Sequence, residues 1–301
     1  LIPQAFLNMN NNGVIFIVGP TAVGKSEFAV DLALKEGGEV VSADSMQVYT
    51  GLDLGTAKPS MDERRGVPHH MIDVANPRED YSAAAYSQAA QAAIADILER
   101  GKTPIVCGGS GLYIHALLYE LDFSGRDRDE GLRAELAKEA EEKGGDYLFA
   151  RLLEADPDAA AHVHPHNIKR VIRALERAAG SVESDGLRDF GGTFDAAKQR
   201  YAARIIRLTA PRTELYERIE RRAEGFFKAG LADEVQRLLE SGVPRAGTAM
   251  QGIGYKEVAA MLAGEYDEAE ALRLVKQNTR RYAKRQETWF KRYDAAETLS
   301  V

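Results

Sequence analysis

The stretch "GPTAVGKS", residues 19–26, decides how the rest of the chain is read. It follows "GVIFIV" (13–18), a short apolar, β-branched run of the kind that forms a buried parallel strand. The spacing G-x-x-x-x-G-K-S between a strand and a helix start is that of a phosphate-binding loop. Backbone N–H groups along such a loop ring an anion, and the following helix adds the partial positive charge of its amino terminus. Lys25 supplies a full charge, and the Ser26 hydroxyl is placed to hold Mg²⁺. The motif leaves open whether the phosphate is transferred, hydrolysed or released as a leaving group.

Working outward, a helix is expected to open at Gly24–Lys25 and run to about Glu36. "EVVSAD" (39–44) reads as a second strand with Asp44 at its carboxyl end, residues 81–100 as an alanine-rich helix closed by Gly101, and "TPIVCGG" (103–109) as a third strand. Strand alternating with helix implies an α/β fold with a doubly wound parallel sheet. Ligands on such sheets sit at the carboxyl ends of the strands, where loops 19–25, 44–47 and 107–111 converge. Strand signals then vanish from 120 to 200, leaving helical periodicity and a loop-like "SVESDGLRDFGGTF" (181–194). "ARIIRLTAP" (203–211) returns to strand, and three or four helices follow. The expected organisation is a phosphate-loop core from 13–119 together with 201–301, interrupted by a helical insertion at 120–200. Residues 1–12 are expected to stand outside the fold, without order.

Composition sets the class. At 301 residues, 45% hydrophobic and 28% charged, the chain is an ordinary globular protein with room for a substantial core. No apolar run long enough to span a membrane and no charged leader is present, so a cytoplasmic, membrane-free protein is the expectation. One cysteine, Cys107, excludes an internal disulfide framework and a cysteine-based zinc site, and at the end of an apolar strand it reads as a small buried residue. The net charge of −7 excludes a uniformly basic surface, yet "RLVKQNTRRYAKRQETWFKR" (273–292) carries eight bases against Glu287. A locally basic surface is therefore expected there.

The remaining candidates separate by spacing. Adjacent His69 and His70 point to opposite faces of an extended segment and make a poor metal pair. His162, His164 and His166 are interrupted by Pro165 and lack accompanying ligands, which favours a surface role. "TPIVC" ends in Gly108 and Gly109, where a nucleotide hydrolase would carry a metal-positioning acid. Only "VVSAD" ends in an acid, so Asp44 is either a magnesium-associated carboxylate or a base acting on a second substrate.

The loop does not stand alone. "SADSMQVYTGLDLGTAKP" (42–59), "VPHHMIDV" (67–74), "VCGGSGLYI" (106–114), "HPHNIKRVIRALE" (164–176), "LYERIERRAEGFFKAGLADEV" (215–235), "QGIGYKEV" (251–258) and "TRRYAKRQETWFKR" (279–292) follow it in order. Together the set resembles bacterial tRNA dimethylallyltransferase, and the resemblance runs from residue 13 to about 292. It lapses at 177–200, where "RAAGSVESDGLRDFGG" replaces the family's usual turn.

The resemblance implies transfer of a dimethylallyl group from its diphosphate to the exocyclic amine of the adenosine 3′ to the anticodon. The loop residues Gly19, Pro20, Thr21, Ala22, Val23, Gly24, Lys25 and Ser26 would then hold a diphosphate leaving group, with Mg²⁺ on Ser26. It assigns catalysis to Asp44 as general base, with Thr21 and Arg222 on the diphosphate; Arg218 and Arg221 lie close to Arg222 in sequence. It assigns tRNA contacts to Asp44, Ser45, Met46 and Gln47, to Ser110 and Arg133, and to Asn167, Ile168, Lys169, Arg170 and Val171. Further contacts fall on Gln251, Gly252, Ile253, Gly254, Tyr255 and Lys256, and on Lys284 and Arg285 of the basic stretch. The insertion is expected to touch tRNA, and the protein to act as a monomer. Competing readings are an adenylate prenyltransferase and a phosphate-loop small-molecule kinase; the basic carboxyl-terminal stretch favours a large RNA partner, and the missing acid after "TPIVC" counts against the kinase.

Overall fold

The computed structural model describes residues 13–119, 130–180 and 199–301. The expectations for 1–12 and for the loop at 181–194 lie almost wholly or entirely outside them. In chain order the elements are β1 (Val14–Val18), α1 (Lys25–Glu36), β2 (Gly38–Ser42), α2 (Met61–Arg64), β3 (His69–His70), α3 (Ala83–Glu99), β4 (Thr103–Gly108) and α4 (Gly111–Leu118). Then come α5 (Glu130–Lys143), α6 (Gly145–Ala155), α7 (Pro157–Ala160), α8 (Ile168–Ala178), β5 (Ala203–Thr209), α9 (Arg212–Lys228), α10 (Leu231–Glu240), α11 (Tyr255–Leu262), α12 (Glu268–Phe290) and β6 (Glu297–Ser300).

Among the described residues six strands form one sheet in the order β3-β2-β4-β1-β5-β6, and every pairing in it is parallel. β1 and β4 sit at the centre with Ile15 opposite Ile105 and Ile17 opposite Cys107, and β1 is buried throughout. A strand covered on both faces must be apolar on both, which is why "VIFIV" shows no alternation. Leu32 and Ala33 of α1 and Leu215 and Ile219 of α9 pack with Ile15, Val40, Ile105 and Ile206 in one apolar cluster. Ser82 caps α3 by accepting from the Ala85 amide, and Asp267 caps α12 by accepting from Glu270.

Two strands escape the sequence patterns. β3 is two residues long, and β6 is an exposed edge strand whose Leu299 alone is apolar. β6 is held instead by polar pairs across the ladder: Arg204 donates to Glu297 at 2.8 and 3.0 Å, and Arg207 donates to Thr298.

The chain divides into two compact units, 1–120 with 193–301, and 121–192. The second unit has its own core of Leu136, Leu148, Leu152, Val171, Ile172 and Leu175. Buried Glu176 receives a two-pronged pair from Arg133 at 2.8 and 2.9 Å.

Candidate active site

The carboxyl ends of β2 and β4 are stitched together by backbone bonds, the Ala43 amide donating to Cys107 and the Ser110 amide to Ala43, and β1 pairs with β4 as far as Val18 opposite Gly108. This brings the loops after all three strands to one place, as the strand order requires.

In the phosphate loop, Gly24 takes φ 99°, the left-handed region where a side chain is penalised, and opens α1. Ala22 also takes positive φ, at 64°, and its neighbour Val23 is buried. Lys25 folds back over the loop and donates from Nζ to the Pro20 carbonyl at 2.7 Å. Burial lowers its pKa to about 8, against the pull of the Asp44 carboxylate. Ser26 is exposed.

Asp44 follows β2 and accepts through one oxygen from the Met46 amide at 2.9 Å and the Gln47 amide at 3.4 Å. Its second oxygen has no hydrogen-bond partner among the described residues. Burial raises the Asp44 pKa, opposed by those two amides and by Lys25. Cys107 lies close by, its thiol pushed up to about 12 by burial, which makes it a packing residue and not a nucleophile.

Two cavities meet at Thr21, Ala22, Asp44, Thr56, Ala57, Arg222 and Phe226. The larger, about 1000 Å³, takes in the phosphate-loop residues Gly24, Lys25 and Ser26 and a wall of mixed charge, in which Lys58 pairs with Asp53 and Asp73. The smaller, about 320 Å³, is lined by Ser45, Met46, Gln251, Gly252, Ile253, Tyr255, Lys256, Tyr282 and Arg285. Ile219, Ala223 and Val275 add an apolar wall to it. Arg222 is exposed and opens onto both cavities, and partial desolvation there lowers its pKa. Neither Arg218, which pairs with Glu214, nor Arg221 lines either cavity.

Other expected residues take supporting places. The Gln47 side chain accepts from Ser42 and donates to the Thr56 and Ala57 carbonyls, so it fixes the 56–57 loop, and its amide is fully engaged within the protein. Ser110 accepts from the Ser45 amide at 2.8 Å. Gly19 and Pro20 shape the loop without lining a cavity, and Gly254 caps α11 through its amide to Glu257. In the second unit Asn167 caps α8, Lys169 and Arg170 are exposed on its first turn, and Ile168 packs on the core. Val171, within the same expected contact segment, has its side chain fully buried and anchors α8 in that core. Arg133, expected to face RNA, spends two nitrogens on Glu176.

The basic stretch also differs from expectation. Lys276 pairs with Glu224 and Arg280 with Glu220, both on α9, and Arg273 pairs with Glu270. Lys284 and Arg285 remain exposed, and Arg285 lies 5.6 Å from the Tyr282 ring at the smaller cavity. His162, His164 and His166 are exposed, and no group of three metal-ligating side chains occurs among the described residues.

Sequence reading missed three buried anchors. Glu234 accepts from the Asp53 and Leu54 amides and from the Tyr255 hydroxyl. Glu257 accepts from Gly254 and from the Asn278 amide, and Gln286 accepts from the Thr21 amide at 2.8 Å. Each lies inside a motif that drew attention for other residues; the signal available was a polar residue on the apolar stripe of its helix.

A parallel sheet with a phosphate loop at the end of β1 and a second cavity opening beside it defines a P-loop-type α/β protein. Residues 47–293 match the family model described as IPP transferase. A tRNA dimethylallyltransferase of Alkaliphilus oremlandii is 45% identical over 281 residues, spanning 93% of this chain and 89% of that protein. The full-length tRNA isopentenylpyrophosphate transferase of Bacillus halodurans superposes with a TM-score of 0.70 at 40% identity, over 96% of this chain and 90% of that one. A eukaryotic dimethylallyltransferase captured acting on tRNA superposes with a TM-score of 0.76 at 28% identity, over 95% of this chain and 73% of that one. The chain belongs to the IPP transferase family. No helix among the described residues is long and apolar enough to cross a membrane.

Proposed function

We propose that this protein transfers the dimethylallyl group of dimethylallyl diphosphate to the exocyclic amine of the adenosine 3′ to the anticodon in tRNA. The observation that carries the reading is the junction: Thr21, Asp44 and Arg222 stand where the cavity of the phosphate loop meets a smaller one with an apolar wall. The diphosphate belongs in the first, on the loop amides, Lys25 and Arg222. The target base, extruded from its RNA loop, belongs in the second.

The amine of adenine is a weak nucleophile because its lone pair is delocalised into the ring. As nitrogen bonds to the allylic carbon, the carbon–oxygen bond to diphosphate breaks and the amine must lose a proton. The unpartnered oxygen of Asp44 accepts it, and the burial that raises this carboxyl's pKa makes it a stronger base. Lys25 and Arg222 offset the charge on the departing diphosphate. Ile219, Ala223, Phe226 and Val275 exclude water that would compete for the carbon.

The donor set suits Mg²⁺, which keeps several waters and needs few protein oxygens. The exposed Ser26 hydroxyl on the phosphate-loop cavity would hold it, and when bound it adds charge neutralisation at the diphosphate. Exposed Lys169 and Arg170 of the second unit and Lys284 of α12 supply phosphate contacts that orient the RNA without reading its bases. A tRNA substrate supports a location inside the cell, which we read as the cytoplasm.

The test is incubation with labelled dimethylallyl diphosphate, Mg²⁺ and unmodified tRNA, followed by digestion and identification of the nucleoside. Label on the adenosine beside the anticodon is expected. Steady ATP consumption coupled to RNA, with no prenyl transfer, would overturn the reading in favour of a kinase.

A further inference from the structure

We infer that Gln286 is a positioning residue for this reaction: its side-chain amide ties the phosphate loop to the end of β4 and thereby sets Thr21 at the junction of the two cavities. The inference rests on the reading of those cavities given above.

Gln286 is only 5% exposed, although it sits in the most basic stretch of the chain. Its Oε1 accepts from the Thr21 amide at 2.8 Å, and its Nε2 donates to the Gly109 carbonyl at 3.0 Å. These bonds span 265 and 177 residues of sequence. The orientation of the amide is unambiguous, because a backbone N–H only donates and a carbonyl only accepts. Flipping the group would break both bonds. A side chain at Gly109 would collide with Nε2, so the glycine and the glutamine are fitted to one another. Tyr282, one turn earlier on α12, turns its hydroxyl to the same carbonyl at 3.4 Å and its ring to the smaller cavity.

In a phosphate loop the amides ordinarily turn to the anion. Here the Thr21 amide is committed to a protein acceptor, the Gln286 side-chain oxygen. Thr21 is one of the few residues that line both cavities, so a shift of the loop at this point moves the leaving group relative to the base and to Asp44. Misplacements of about 1 Å cost reactions on the order of 10²-fold. Orientation, not charge, is what Gln286 contributes.

The test compares wild type, Gln286→Met and Gln286→Glu in single-turnover transfer at saturating tRNA and dimethylallyl diphosphate, with rates normalised to folded protein. Methionine keeps the volume without the bonds, and its rate is expected to fall by about 10²-fold while tRNA affinity stays within about twofold. Ionised glutamate keeps the acceptor for Thr21 but opposes the Gly109 carbonyl; once protonated it offers both an acceptor and a donor. The rate of Gln286→Glu relative to wild type should therefore rise as pH is lowered. A wild-type rate in Gln286→Met, or a relative rate for Gln286→Glu that is flat with pH, overturns the proposal. A residue that merely stabilises the fold would lower the melting temperature and leave the rate per folded molecule unchanged. If Gln286→Met does not fold, the pH dependence of Gln286→Glu decides. Calorimetric titration with inorganic diphosphate and Mg²⁺ needs no transfer and is expected to show roughly tenfold weaker binding in Gln286→Met. Absence of prenyl transfer in wild type, with that diphosphate difference intact, would overturn the functional reading and leave the positioning role standing.

Discussion

The Tyr255 hydroxyl donates to Glu234 at 2.6 Å, and both side chains are buried. The same carboxylate receives the Asp53 and Leu54 amides, so one acid on α10 joins α11 to the loop that carries Thr56 and Ala57 into both cavities. Tyr255→Phe leaves two amide donors on the carboxylate and is expected to cost about 1 kcal/mol of stability. Glu234→Ala strands two amides and a buried hydroxyl and should cost about 2–3 kcal/mol or more, with a raised KM for the donor. Denaturant titration beside steady-state kinetics checks both. Equal effects of the two substitutions would mean that the loop is held by something else.

Asp44→Asn keeps size and hydrogen-bonding capacity but removes the proton acceptor. Loss of a positioned base typically lowers the rate by about 10²- to 10⁴-fold. Binding of tRNA and of the donor should survive within a few-fold, because the phosphate loop, Lys25 and α12 are untouched. Single-turnover transfer at saturation is the measurement, beside titrations of donor and Mg²⁺. Near-normal chemistry, or a defect rescued by excess Mg²⁺, would remove Asp44 from the role of base and return it to that of a metal-associated carboxylate.

Far from the cavities, Glu39 begins β2 in near-complete burial and holds Arg100, Lys102 and His70. The bond from Arg100, then those from Lys102 and His70, depress its pKa far below the ordinary value of 4.5. A carboxyl depressed by folding stabilises the protein fully above its unfolded pKa, and that contribution fades as pH falls toward the folded value. Glu39→Gln is therefore expected to lose about 1–3 kcal/mol at pH 7, with a gap to wild type that narrows below about pH 4.5. Urea titrations at pH 7, 5 and 3 would show it. A gap independent of pH would assign the loss to packing.

The phosphate loop was legible because strand, glycines, lysine and serine lie within one short stretch and each constrains the backbone in its own way. The central strands were legible because burial on both faces demands unbroken apolar runs. β6 was not, since Glu297 and Thr298 owe their place to Arg204 and Arg207, ninety-odd residues earlier. Gln286 and Glu234 were illegible for the same reason. Each serves backbone groups that only the folded topology brings near, and a local pattern holds no trace of that partner. Val171 shows the limit of a contiguous motif: the resemblance takes 167–171 as one RNA-facing segment, while helical geometry turns the Val171 side chain into the core.

Lys284 and Arg285 are neighbours in sequence with different expected roles. Both are exposed, but Arg285 borders the smaller cavity against Tyr282, whereas Lys284 lines neither cavity. Lys284→Glu should weaken tRNA binding and flatten its salt dependence, since fewer counterions are released, with turnover at saturating RNA nearly unchanged. Arg285→Glu should do the same and also slow single-turnover transfer at saturation, because it places a negative charge at the rim of the base cavity. Lys276 and Arg280 are paired with Glu224 and Glu220, so the exposed Lys284 and Arg285 lie beyond these pairs, toward the end of α12. Filter binding over a range of salt concentrations, beside rapid-quench transfer, separates the two residues. If Lys284→Glu leaves both affinity and salt slope at wild-type values, that face of α12 is solvated and the RNA phosphates are met elsewhere.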